Sequence, residues 1–245
     1  MALWIEPDWP VPPGVRVIST LRQGGVSAGR YASLNLGDHV RDQPDHVAEN
    51  RQLLSAAARL PAEPCWLKQV HGAAVADLDR LGVSQPADAA VTREAGRVCA
   101  ILTADCLPIT LAAQSGEAVA AVHAGWRGLA AGVIESAVRD LGLPGEQLQA
   151  WLGPAIGPKN FEVGAEVREA LMAGDEAAEA AFVPNSQGRF MADLWLLATQ
   201  RLRLLGLHRI YGGGECTYAH PQRFFSHRRD GLTGRQATLI WREAV

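Results

Sequence analysis

Three short segments set a metal-capable side chain beside glycine or proline: Lys68-Gln69-Val70-His71-Gly72, Thr103-Ala104-Asp105-Cys106-Leu107-Pro108 and Val122-His123-Ala124-Gly125-Trp126-Arg127-Gly128. Imidazole nitrogen and thiolate sulfur are donors that zinc accepts, and three protein ligands leave a fourth position for water or substrate, the pattern of a catalytic rather than a structural site. Copper competes, because the same donors suit it. Taken singly, each residue has a plainer role: a cysteine is most often a small buried hydrophobe, and a lone histidine an ordinary hydrogen-bonding group. Standing together at inferred strand ends, His71, Cys106 and His123 predict one metal centre that is also the catalytic centre. Asp105, beside Cys106, is read either as an orienting partner of a ligand or as a local turn residue.

A second group is basic. Arg22, Lys68, Arg127, Arg228 and Arg229 lie in or beside glycine-rich segments, and a guanidinium fork binds phosphate through two bonds. Position favours Arg127, four residues after a candidate ligand, and Arg22, whereas Arg228 and Arg229 read as solvated surface arginines. The other cysteines have duller readings. Cys65 and Cys99 are assigned to packing, and Cys216 is left unassigned.

These residues need elements to hold them. Val15 to Thr20 alternates like a strand, and the glycine-rich Gln23 to Gly29 predicts a loop after it. Val47, Leu53, Leu54, Ala57 and Ala58 recur at helical spacing, with Pro44 suited to the first turn and Pro61 just past the end, so an amphipathic helix is expected there. Val98 to Leu102 and Ala118 to Val122 are short apolar runs that suit strands buried on both faces. After the second run, Gly125 and Gly128 predict a tight turn, followed by a helix carrying Val133, Ile134, Ala137, Val138 and Leu141. Asp193 is placed to cap a further helix carrying Leu194, Leu197, Leu204 and Leu205, stopping at Gly206. Thr238 to Trp241 reads as a closing strand. Strands interleaved with at least four helices predict an α/β or α+β fold, one layered domain over residues 1–245 with a mixed sheet flanked by helices. Strand ends in such sheets converge on one edge, which is how residues far apart in sequence meet.

Composition narrows the function classes. The 23 basic and 26 acidic residues leave a formal charge of -3 with no block of either sign, so neither nucleic acid nor a membrane surface is an expected partner. Nor does the pattern call for an obligate protein partner. No stretch approaches the ~20 apolar residues of a membrane span, and Glu6 and Asp8 stand where a secretory leader would be basic and then apolar. With four scattered cysteines and no CxxC pair, a cytoplasmic protein with reduced thiols is expected. HExxH, Walker A and GxGxxG are absent, as is the HxE with PCxxC pattern of the cytidine-type deaminases. Gly25-Val26-Ser27-Ala28-Gly29 matches the GxSxG string, but a nucleophile elbow needs a strand directly before and a helix directly after, and neither is expected here.

Taken in order, the segments resemble the YfiH-like family over nearly the whole chain. The match rests on Arg22 to Gly37 (RQGGVSAGRYASLNLG), KQVHG, ADCLP, HAGWRG, Gly153 to Val163 (GPAIGPKNFEV) and Cys216 to Arg235 (CTYAHPQRFFSHRRDGLTGR). His227 departs from the family's usual tyrosine in FFSYRRD. The family is also called laccase-domain or multicopper polyphenol oxidoreductase and is now regarded as a purine nucleoside phosphorylase family. The resemblance implies zinc on His71, Cys106 and His123, with Arg22, Asn35, Lys68 and Arg127 at the substrate. It implies phosphorolysis of adenosine, inosine and methylthioadenosine, with purine nucleoside and phosphate as partners, and adenosine deaminase activity. Some members are credited with copper-dependent phenol oxidation, and bacterial members with keeping wrong residues out of peptidoglycan precursors. Multicopper oxidation needs many histidines, and this chain has seven with no HxH pair, so phenol oxidation is expected only as a side reaction or an effect of added copper. Two other readings stand beside the phosphorylase and deaminase. One is a Cys106 nucleophile with a histidine base, acting as a hydrolase or amidase on a cell-wall precursor. The other is a non-catalytic metal-bound interaction module.

Overall fold

The computed structural model describes residues 3–80, 86–173 and 175–244. Two large sheets lie face to face. The first has five strands in the order Trp4–Ile5, Val15–Thr20, Gln236–Arg242, Val98–Thr103, Cys65–Trp66, antiparallel apart from the last pair. The second has six, in the order Arg209–Gly212, Leu148–Leu152, Leu107–Ala113, Val119–Ala124, Ala89–Thr92, Val75–Asp77, antiparallel within and parallel at both edges. A small antiparallel sheet of Glu162–Val163, Phe190–Ala192 and Phe182–Pro184 sits apart from them. The fold is thus mixed α/β.

Strand alternation sorts the core into layers. Val17, Cys99, Ile101 and Ile240 of the first sheet pack on Ala90, Ala112, Val119, Ala121 and Trp151 of the second. The far face of the second sheet carries Ile109, Leu111, Ala120 and Val122 against the helices Val133–Leu141, Ala165–Met172 and Leu194–Leu204. The far face of the first carries Ala100, Leu102 and Leu239 against Leu54 of the helix Pro44–Ala58 and against Leu34 and Leu36. The predicted strands at Val98 and Ala118 are buried on both faces because each sheet is covered on one side by the other sheet and on its far side by helices or packed loop residues.

Two expectations are corrected in detail. The chain does not turn from Gly125 to a helix at Val133: a short helix, Trp126–Ala130, starts directly after Gly125 with Gly128 inside it, and Gly132 at φ 84° resets the direction for Val133–Leu141. Gly128 is there because Gly72 O and His123 O stand 3.2 Å from where a Cβ would sit. On the helix Pro44–Ala58 the inward face is Val47, Asn50 and Leu54, while Leu53 is exposed. Buried Asn50 joins the helix to the glycine-rich loop, donating to Ser27 Oγ, Ser33 O and Asn35 O and accepting from Val26 N. Leu204 ends its helix in solvent, while Leu194 and Leu197 are buried. Asp193 caps that helix as expected, accepting from Leu196 N at 3.0 Å.

Candidate active site

The chain crosses from one sheet to the other through the turn Ala104-Asp105-Cys106, between the strands Val98–Thr103 and Leu107–Ala113. Asp105 takes a φ of 94° there. Its carboxylate accepts from the Thr217 hydroxyl and from Arg228 N, both at 2.6 Å, so it anchors the opposite wall rather than orienting Cys106. His123 is the penultimate residue of Val119–Ala124. It shares the face of Val119 and Ala121 and points between the sheets where they part. His71 lies in the loop between Cys65–Trp66 and Val75–Asp77, at a φ of 62°.

One buried carboxylate sets this arrangement. The ladder register that pairs Ala89 with Val122 puts Asp88 opposite His123, and His123 N donates to Asp88 O at 2.7 Å. Asp88 Oδ1 also accepts from His123 Nδ1 at 2.8 Å and from His71 N at 2.9 Å, and Oδ2 accepts from Val70 N at 3.1 Å and Gly72 N at 2.7 Å. Asp88 therefore fixes the His123 ring with Nε2 outward and pins the loop that carries His71. Sequence reading passed over it; the available signal was an acid at the head of the apolar run Asp88-Ala89-Ala90-Val91, where a charge stays buried only if paired.

The donor atoms of His71, Cys106 and His123 all lie within 4.8 Å of one another. Cys106 Sγ stands 3.9 Å from His71 Nε2, and the two imidazole centroids are 4.8 Å apart. His123 is buried, Cys106 half-buried and His71 exposed, so the group runs from floor to mouth. A Cβ at Gly125 would stand 2.8 Å from Cys106 Sγ, so the thiol occupies space that only glycine leaves. Burial pushes the Cys106 thiol up, but the two imidazoles outweigh it and draw it down to about 6. Burial likewise disfavours a charged His123, and Cys106 and Asp88 together outweigh it, raising the ring to about 9. Burial pushes the Asp88 carboxyl up, and the hydrogen bonds from His123 and the loop amides hold it below the usual carboxylate range. The chemistry fits a thiophilic metal: an ionised thiolate beside two imidazoles, one with its tautomer fixed from behind.

The three donors open into a cavity of about 450 Å³. Its apolar lining includes Leu102, Ile156, Phe161 and Leu194, and its cations are Arg127, Arg228 and Arg235. The Arg127 guanidinium lies 4.2 Å from the Trp126 ring centroid, and among the described residues no hydrogen bond holds it. Arg228 is exposed, as expected, but it also lines the cleft, donating to Glu162 O at 2.9 Å over the Phe161 ring. Arg229, expected in solvent too, is tied to Thr217 O, Tyr218 O and Phe224 O and holds the backbone together. Arg235, unremarked in sequence, reaches the cleft with Nη1 on Thr233 O and Gly234 O.

Of the residues expected at the substrate, Arg127 lines the cavity, and Arg22, Asn35 and Lys68 do not. Arg22 donates to Ala32 O at 3.0 Å and Pro221 O at 2.8 Å and stacks on Phe225, a clamp between two loops. Asn35 is buried; its Oδ1 accepts from Gly37 N at 3.0 Å and Arg235 N at 2.8 Å, so it sets the backbone of a cleft arginine. Lys68 is exposed. The Ser27 hydroxyl donates to Asp42 Oδ2 at 2.6 Å and accepts from Asn50, which makes the GxSxG string a loop joint. All four cysteines are free; Cys216 accepts from Gly157 N at 3.1 Å and Cys99 is core. No helix among the described residues is long and apolar enough to cross a membrane.

Residues 16–243 match the family described as multi-copper polyphenol oxidoreductase laccase. A protein of Escherichia coli (strain K12) named purine nucleoside phosphorylase YfiH is 52% identical over 242 residues, covering 98% of this chain and 99% of that one. One of Haemophilus influenzae, named purine nucleoside phosphorylase, is 46% identical over 241 residues with 98% and 99% covered. A crystal structure of a Neisseria meningitidis protein superposes with a TM-score of 0.95 at 43% identity, covering 99% of this chain and 100% of that one. The crystal structure of YlmD from Geobacillus stearothermophilus gives 0.91 at 31% identity, with 99% and 97% covered.

Proposed function

From the premise that the chain belongs to the multi-copper polyphenol oxidoreductase laccase family, we propose that it is a zinc-dependent purine nucleoside phosphorylase, acting in the cytoplasm as one enzyme domain. The observation that carries the reading is the meeting of His71, Cys106 and His123 in a cleft that also holds three arginines and an apolar wall. Relatives named purine nucleoside phosphorylase supply the reaction class.

His71, Cys106 and His123 would hold the zinc, which when bound supplies a Lewis acid with one open coordination position and lowers the pKa of water beside it. Arg127, Arg228 and Arg235 bind phosphate, a dianion that guanidinium forks take through paired bonds. The apolar lining of Leu102, Ile156, Phe161 and Leu194 takes the purine, and about 450 Å³ is the size of a small-molecule site. A phosphate oxygen bonds to C1′ of the ribose as the bond from C1′ to the purine nitrogen opens, releasing base and pentose 1-phosphate. Adenosine, inosine and methylthioadenosine share that bond, so all three are substrates, and the same cleft deaminates adenosine at C6. Among the described residues this is the one group of three metal-capable side chains, which supports a single ion over a multicopper centre and leaves phenol oxidation as a side activity on added copper.

A second reading has its own observation. A thiol drawn down to about 6 beside the His71 imidazole is also a nucleophile and base, which a hydrolase or amidase acting on a peptidoglycan precursor would need. One experiment separates the two: metal content by mass spectrometry, with chromatography of products from adenosine with and without phosphate, on the protein as purified and on Cys106→Ala. The expected result is one zinc per chain and phosphate-dependent adenine release, both lost in the variant. Zinc-free protein inert toward nucleosides would overturn the reading and favour the thiol chemistry.

A further inference from the structure

Phosphorolysis leaves a purine with an extra electron pair, and something must protonate it. The acid–base side chains lining the cleft are His39, His71, Asp105, Cys106, His123 and His227; the Thr103 hydroxyl and the Trp126 indole also line it but hold their protons too tightly to act as general acids. His71, Cys106 and His123 are assigned to the metal. Asp105 is committed to Thr217 and Arg228 N, both at 2.6 Å, and Gln69 spends its amide on Leu102, donating to its O and accepting from its N at 2.8 Å. Arg127, Arg228 and Arg235 are assigned to the phosphate, and a guanidinium is a hydrogen-bond donor rather than a general acid.

His39 and His227 remain. His39 stands 3.5 Å from the neighbouring Asp38, and among the described residues no hydrogen bond to another part of the chain orients its ring. His227 is fixed: Nδ1 stands 2.7 Å from Gly231 O, and a carbonyl only accepts, so Nδ1 carries a hydrogen and the ring is oriented. Nothing among the described residues bonds Nε2. The residue opens the short helix His227–Asp230, whose backbone Asp105 holds through Arg228 N, so the ring is built into the same wall as a phosphate-binding arginine.

We infer that His227 is the general acid of the phosphorolysis, protonating the departing purine from Nε2. The inference rests on the phosphorylase reading above. As the phosphate oxygen bonds to C1′, the bond from C1′ to N9 breaks and its electron pair passes into the purine ring. His227, acting as the imidazolium, gives its Nε2 proton to N7, keeps the Nδ1 hydrogen on Gly231 O, and the resulting neutral ring regains a proton from solvent at its exposed edge.

The test uses two substrates with different needs. Inosine requires the proton, whereas 7-methylinosine carries a positive N7 and departs neutral without it. General acids contribute roughly 10² to 10⁴ in rate, so His227→Phe is expected to lose at least about a hundredfold in kcat on inosine and only a few-fold on 7-methylinosine. His227→Tyr, which restores an O–H donor, is expected to recover part of the inosine rate, and turnover of the methylated substrate reports that each variant is folded. Equal losses on both substrates would assign His227 a structural role and overturn the inference. Full inosine activity in His227→Phe would overturn it as well. Wild-type protein that phosphorolyses neither substrate would instead sink the phosphorylase reading on which it stands.

Discussion

Cys106 and Asp88 carry the electrostatics of the site, and each predicts something separable from turnover. In metal-free protein Cys106 ionises at about 6, where free thiols need about 8.5, because two imidazoles outweigh its burial. The thiolate is the reactive form and exists above that value, so the alkylation rate of Cys106 by iodoacetamide should climb between about pH 5 and 7 and then level off. Burial pushes Cys65 and Cys99 the other way, so at pH 7 modification should fall on Cys106 well before either. Mass spectrometry across pH reads this directly, and a rate still climbing beyond pH 8 would refute the assigned charge pattern. Asp88→Asn replaces one acceptor oxygen with a donor that faces the N–H groups of Val70, Gly72 or His123. Outer groups of this kind are worth about 10- to 100-fold in metal affinity, and a competition titration with a zinc chelator should find a loss of that order. The three donors were legible in the chain because glycine and proline flank them. Asp88 was not, because its role comes from a strand pairing that only the sheet order creates.

At the scale of elements, the junction of the strand Val119–Ala124 with the helix Trp126–Ala130 does the positioning. Gly125 alone separates Ala124, the last residue of the strand, from Trp126, the first of the helix, and a Cβ there would press on Cys106 Sγ at 2.8 Å. Gly125→Ala should therefore push the thiol out of the donor set while leaving the sheets intact: zinc content well below one per chain, with the far-ultraviolet circular dichroism of the parent. Full zinc loading in that variant would show that the crowding relaxes elsewhere. Element types followed the periodicity of their segments, as at Val15–Thr20, Pro44–Ala58 and Leu194–Leu204. Two features escaped it. The helix Trp126–Ala130 is little more than one turn, too short for a 3.6-residue period to register, and the inward face of Pro44–Ala58 is built around Asn50, a polar residue that an apolar pattern does not reveal. Arg22 and Asn35 illustrate the reverse case, in which a motif residue with ligand-binding chemistry spends its hydrogen bonds on joining loops.

The whole molecule draws its site from every part of the chain. His71 comes from a loop between edge strands, Cys106 from the crossing between sheets, His123 from the centre of the second sheet, and Arg228 and Arg235 from the segment leading into the final strand. Sequence periodicity gave the elements but no strand order, and so could not say that these segments meet; the two-sheet arrangement brings them together because the first sheet closes with Gln236–Arg242 between Val15–Thr20 and Val98–Thr103. A metal held by a strand, a crossing turn and a loop that only the fold brings together would bind the native state alone, so it should stabilise the fold by mass action. At free zinc 1,000 times its dissociation constant the gain is about 4 kcal/mol, which for a chain of this size corresponds to a rise of about 8 to 16 °C in Tm. Stripping the metal should lower Tm by that order while a cooperative transition persists, since the three apolar clusters of the sheets and helices do not depend on it. Cys106→Ala should melt at the same temperature with and without chelator. A parent protein whose Tm ignores the chelator, although zinc is shown to leave, would mean that the unfolded chain binds zinc about as well as the native site does, and would overturn the premise that the ion is held by the folded arrangement of the donors.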